Sequence, residues 1–184
     1  MHTHHPTCVQ HTKEILGLLA DIDRGTWRQG ADWYRREHAA LVALSRQTRK
    51  PVRVVSASLA VLSPRCQWPR AKAALELVLV GRWPAGIFTR NIRKARAILS
   101  TADGILIDPA TAPKTWAFWR NLWRPDDPEP VTLDAWMFRA HGLPAGSGIR
   151  AYRALAEAYR LVARDLGLVP NQLQATIWLH TKAR

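Results

Sequence analysis

Two residues of this 184-residue chain stand where they could do chemistry. Asp134 ends the segment Val131-Thr-Leu-Asp134, directly before an apolar helix start, so Val131 and Leu133 can anchor a carboxylate at a helix N-terminus. A carboxylate anchored in this way is a candidate for chemistry. The local alternative is an ordinary Asp N-cap. Lys114 follows Pro113 at the start of the Trp-rich run Lys114-Thr-Trp-Ala-Phe-Trp-Arg-Asn-Leu-Trp123. A cation at that point opposes the positive end of the helix dipole, where Asp, Glu or Ser would sit more comfortably. Partial desolvation would disfavour the ammonium form and leave an amine nucleophile. The alternative is a solvated lysine.

Charge narrows the choice of partner. Lys and Arg number 27 against 14 Asp and Glu, for a formal net charge of +13, and 21 of the 27 are Arg. The planar guanidinium binds phosphates bidentately and stacks on bases, so a polyanion is the expected partner, with GC-rich coding a lesser source of the Arg excess. Membranes are the competing polyanion. No run reaches the ~18 apolar residues a span needs, and no signal-peptide pattern opens the sequence. Double-stranded DNA is therefore the expected partner and the cytoplasm the expected location, with no obligate protein partner and no cofactor indicated. Cys8 and Cys66 are too few for a four-cysteine zinc or iron–sulfur site. His2, His4, His5, Cys8 and His11 lie close enough in sequence to ligate a metal, but a disordered polar terminus over residues 1–11 is expected instead and no metal site is assigned.

The elements that must position these residues read as helices. Trp27, Tyr34, Leu41 and Leu44 form one stripe of a helix over about 27–48, which must end before Pro51. Pro51 suits the first turn of the next helix, whose run from Val54 to Leu62 is nearly all apolar or small and predicts a central, buried element. It stops at Ser63-Pro64, and Trp68 to Val80 resumes. The loop between them places Arg65 and Gln67 at the end of a rigid helix, where a side chain could enter DNA and fill the gap left by an extruded base; a plain interhelical turn is the alternative. Thr89 is read as the N-cap of a basic helix over about 90–100, with Ile92, Ala95, Ile98 and Leu99 inward and Arg90, Arg93, Lys94 and Arg96 elsewhere. A loop spans 101–113. After the Trp-rich helix and the turn Pro125–Pro130, a short helix runs from Asp134 to about Ala140. Ser147 is read as the cap of a long helix carrying Tyr152, Leu155, Tyr159, Val162 and Leu166, closed by Gly167, and Pro170 opens a last helix with Leu173, Gln174, Ile177 and Trp178. The expected fold is all-α, a single two-lobed domain over 1–184 with about nine helices. Trp116, Trp119 and Trp123 make one stripe that core packing explains, whereas Trp68, Trp136 and Trp178 are candidates to stack on a flipped base.

In this order the pieces resemble the helix–hairpin–helix DNA glycosylase superfamily. Ala60-Val-Leu-Ser-Pro-Arg-Cys-Gln-Trp-Pro-Arg-Ala-Lys-Ala73 is similar to its buried helix and wedge loop. Arg93-Lys-Ala-Arg-Ala-Ile-Leu99 resembles the basic helix before the hairpin, and Lys114-Thr115 the lysine and threonine at its end. Val131-Thr-Leu-Asp-Ala-Trp-Met-Phe-Arg139 resembles the segment with the catalytic Asp, twenty positions beyond Lys114 as the family spaces them. The likeness covers about 51–140. It departs from the family where Ala110-Thr-Ala-Pro113 replaces the Gly-rich hairpin, and it lacks the iron–sulfur cysteines of some members.

The resemblance implies a DNA glycosylase that rotates a nucleotide out of the duplex and cleaves its glycosidic bond, with Arg65, Gln67, Arg93, Lys94, Thr115 and Arg139 on the DNA and Trp68, Trp136 and Trp178 around the base. Asp134 would stabilise the sugar cation and activate water, leaving an abasic site, or activate Lys114, giving a Schiff base and strand scission. Candidate substrates are a damaged base or a hypermodified one, such as glucosylated hydroxymethylcytosine in phage DNA. A non-catalytic architectural DNA-binding protein is the competing expectation. A metal-dependent nuclease ranks third, because Asp126, Asp127 and Glu129 fall in a Pro-rich turn.

Overall fold

The computed structural model describes residues 8–101 and 107–183. Among these residues every regular element is a helix and none is a strand: α1 Cys8–Ala20, α2 Arg24–Thr48, α3 Val52–Leu62, α4 Trp68–Leu79, α5 Thr89–Ser100, α6 Pro113–Trp123, α7 Ala135–Ala140, α8 Gly148–Asp165 and α9 Pro170–Ala183. None of them is long and apolar enough to cross a membrane. Packing divides the chain into one unit of Arg36–Arg124 and another of Met1–Arg35 with Pro125–Arg184, so α2 and the segment 51–140 are each shared between the two.

The unit of Arg36–Arg124 is built on α3. Every residue from Val54 to Leu62 is buried, as a run without a polar face requires, and α4, α5 and α6 pack around it. Small side chains let α5 approach: the Ser58 hydroxyl donates to Val54 O at 3.0 Å and reaches Ala95 O at 3.4 Å. On α6 the Trp119 indole donates to Arg53 O at 2.9 Å. Trp119 is buried and Trp123 stacks on it with ring centroids 5.4 Å apart, while Arg124 lies 4.3 Å from the Trp123 ring. The Trp stripe is therefore packing, edged by cations. Ile92, Ala95 and Ile98 of α5 face inward and Arg90, Arg93, Lys94 and Arg96 are exposed. Two boundaries differ from the reading above. Thr89 is the first residue of α5, with Phe88 at the N-cap and no side-chain cap bond, and Pro51 occupies the N-cap of α3 rather than its first turn.

The other unit packs α1, α7, α8 and α9 around Ile15, Leu133, Met137, Leu155, Tyr159, Leu173 and Ile177. Here α1 corrects the expectation of disorder to residue 11: the helix begins at Cys8, and His11 and Ile15, one turn apart, are its buried face. Residues 1–7, with His2, His4 and His5, lie outside the described residues. Ser147 sits at the N-cap of α8 without capping it, because its hydroxyl donates to Pro144 O at 2.6 Å. Leu166 is exposed at the end of the α8 stripe, where the helix has already turned into its C-cap. Gly30 of α2 allows close approach to α9, since a Cβ there would land on the Thr176 backbone.

Candidate functional site

Asp134 is delivered by a pinned segment. Val131 and Leu133 are buried, and between them the backbone is held by Tyr152 of α8, whose hydroxyl donates to Val131 O at 2.6 Å and accepts from Leu133 N at 3.5 Å. Burial pushes the Tyr152 phenol far above its usual range, so it stays a donor. Asp134 then caps α7, Oδ1 accepting from the Trp136 and Met137 N–H groups at 3.0 and 3.1 Å. Its Oδ2 accepts the Trp178 indole N–H of α9 at 3.0 Å. Three donors from two helices thus hold a half-buried carboxylate in one orientation. The N-cap reading of Asp134 is correct, and the indole bond is an addition that capping does not require.

In the same unit a pocket of about 470 Å³ is lined by Leu18, Trp136, Arg139, Ala140, His180 and Thr181. Trp136 is exposed, and the Arg139 guanidinium lies 4.5 Å from its ring centroid. The Lys182 ammonium lies 4.3 Å from the Trp178 ring. Among the described residues the buried His180 Nε2 has no hydrogen-bond partner. Aromatic faces backed by cations suit a planar ligand bearing negative charge. The sequence reading missed His180, because a lone histidine in the last turn of a helix has no motif around it; only its spacing of two from Trp178 hinted at a shared end of α9.

The remaining candidates belong to the Arg36–Arg124 unit. Arg65 is exposed and has a left-handed backbone, φ 56°, a conformation that costs a non-glycine residue about 1 kcal/mol or more. Gln67 is exposed at the N-cap of α4 and its side chain makes no cap bond. Trp68 is half-buried, donating its indole N–H to Glu37 at 2.9 Å and meeting Phe118 edge-on at 5.6 Å. Arg93 and Lys94 are exposed on α5. Lys114 is the second residue of α6, half-buried like Thr115 beside it, with its ammonium 5.8 Å from the Phe118 ring. Ahead of α6, Asp108 organises the turn: its carboxylate accepts from Ala110 N at 2.9 Å and from the Thr111 hydroxyl, and its carbonyl accepts from Ala112 N at 2.9 Å. Two amides that a Gly-rich hairpin would turn toward a phosphate are committed internally here. The acidic turn is a surface feature, with exposed Asp126 paired to exposed Arg35 at 2.8 Å.

The structure brings Asp134 together with Trp178, and Trp136 with Arg139, in one unit. Arg65, Gln67, Trp68, Arg93, Lys94, Lys114 and Thr115 lie in the other. Comparison with curated proteins and with solved structures gives no match. Residues 2–184 match the family of unknown function DUF7178, and with nearly its whole length covered the chain belongs to that family.

Proposed function

We propose that this protein is a DNA glycosylase of helix–hairpin–helix type with a degenerate hairpin, acting on double-stranded DNA in the cytoplasm. The observation that carries the reading is Asp134: a half-buried carboxylate on a pinned segment, oriented by three N–H donors. Such a group is preorganised to face a positive charge developing on a deoxyribose. The Trp136–Arg139 pocket supports it, since its volume falls within the range of ligand pockets and an exposed indole can stack on an extruded base. Arg65 supports it too, as a non-glycine residue in strained backbone on an exposed loop at the end of the buried α3. In this mechanism Asp134 stabilises the sugar cation and directs water to it.

A specific observation favours the non-catalytic alternative: both Asp134 oxygens are already engaged within the fold, as a purely structural cap would have them. The two readings separate on DNAs carrying normal, damaged and glucosylated hydroxymethylcytosine bases, incubated with the protein or with Asp134→Asn and then treated with mild alkali. The enzyme reading expects alkali-dependent breaks that Asp134→Asn abolishes while DNA binding persists. Binding without breaks on every substrate, or breaks that survive Asp134→Asn, rejects it. Breaks confined to the glucosylated base would assign an antiviral role.

A further inference from the structure

His11, Glu14 and His141 converge in the core of the unit formed by Met1–Arg35 and Pro125–Arg184, and none of the three belongs to the residues assigned to the DNA reading. His11 and Glu14 are three apart on α1 and so share a face; His141 is the C-cap of α7. The Nδ1 atoms of the two histidines point at one atom, Glu14 Oε2, at 2.9 Å from His11 and 3.3 Å from His141. One donor atom from each of the three residues lies within 4.8 Å of the others. Both rings are buried, whereas the Glu14 side chain is 31% exposed.

We propose that His11, Glu14 and His141 form a binding site for a zinc-class divalent transition-metal ion. Two imidazole nitrogens and one carboxylate oxygen are the ligand types such an ion prefers over magnesium or calcium. Ligands at about 2.0–2.2 Å around a tetrahedral ion stand about 3.3–3.5 Å from one another, so the separations from Glu14 Oε2 need to open by only a few tenths of an ångström. The partly exposed Glu14 supplies the entry path and leaves a fourth position for water. An outer partner is already in place: His141 Nε2 is 3.0 Å from the hydroxyl of Tyr159, which is fully buried. When the ion takes Nδ1, the ring proton of His141 moves to Nε2 and the Tyr159 oxygen accepts it, fixing the ring as a ligand. Among the described residues the partners of the Glu14 carboxylate are these two imidazoles, and at neutral pH a divalent cation would balance its charge. An ion there would tie α1 to the end of α7.

The test uses the full chain stripped with a chelator, then titrated with Co²⁺ for the visible bands of a tetrahedral N/O site and with Zn²⁺ against a chromophoric competitor. One equivalent is expected, with a rise in melting temperature. Glu14→Gln keeps an oxygen to accept from His11, and should weaken Zn²⁺ binding by more than the ~10–100-fold that loss of an outer-shell partner costs. His11→Gln carries the same expectation should Glu14→Gln fail to fold. A combined His2, His4 and His5→Ala variant should bind as the parent does. The proposal is overturned if Co²⁺ gives no bands, if Glu14→Gln binds normally, or if the loss follows the terminal histidines instead.

Discussion

Asp134→Asn is the substitution on which the functional test depends, and the structure sets what it should do to stability. Asparagine caps a helix about as well as aspartate, so its side-chain oxygen can keep the Trp136 and Met137 N–H groups. What is lost is the charge at the α7 N-terminus, worth about 0.3–1 kcal/mol, and the acceptor for the Trp178 indole. With Asn oriented to cap, its NH₂ faces the indole N–H, donor against donor. A hydrogen bond to a charged group contributes about 1.5–3 kcal/mol, lowered here because Trp178 is only half-buried and water can replace the acceptor. The sum is a loss of about 1–2 kcal/mol, well below the ~5–15 kcal/mol of a folded domain. The variant should therefore remain folded, and loss of base excision can be assigned to chemistry. Urea unfolding followed by far-ultraviolet circular dichroism, which does not depend on the altered Trp, measures this in Asp134→Asn, Trp178→Phe and the double variant. A coupling of about 1 kcal/mol between the two sites is expected. A coupling under ~0.3 kcal/mol, the level at which independent sites add, would refute the bond and the positioning argument built on it.

Two further outcomes follow from packing. Gly30→Ala should destabilise by about 1–3 kcal/mol through overpacking against the Thr176 backbone, although alanine favours a helix by up to ~1 kcal/mol; Gly17→Ala, with open space around its Cβ, should show that gain alone, and equal effects in thermal unfolding would contradict the close approach of α2 and α9. Ser56→Ala should leave stability unchanged or raise it by about 1 kcal/mol in urea unfolding, because the buried Ser56 hydroxyl has no partner among the described residues; a loss above ~1 kcal/mol would mean that it is bonded.

Elements with a strong local pattern were legible from the sequence. The apolar run of α3 required burial on every side, and the inward face of α5 followed from Ile92, Ala95 and Ile98, three apart. Asp134 as a cap before α7 was also a local matter, since side chain and amides lie within three residues. Where several residues can serve one purpose, local reading failed: Thr89 and Ser147 are good caps by type, yet α5 already starts at Thr89, with Phe88 at the cap, and the Ser147 hydroxyl donates to Pro144 O. The start of α1 was hidden by histidines, threonine and cysteine, residue types that suit a solvated terminus as well as a helix whose one face is buried.

Composition and periodicity by themselves determined that the chain is helical, strongly basic and built on a buried α3, because those properties depend on residue type and spacing within a few turns. Tertiary structure alone decided which distant side chains meet. Trp178 finds Asp134 across 44 positions, and His141 finds Glu14 across 127. No periodicity encodes such pairs; they arise because burial of the shared core of α1, α7, α8 and α9 fixes where each polar group must find its partner.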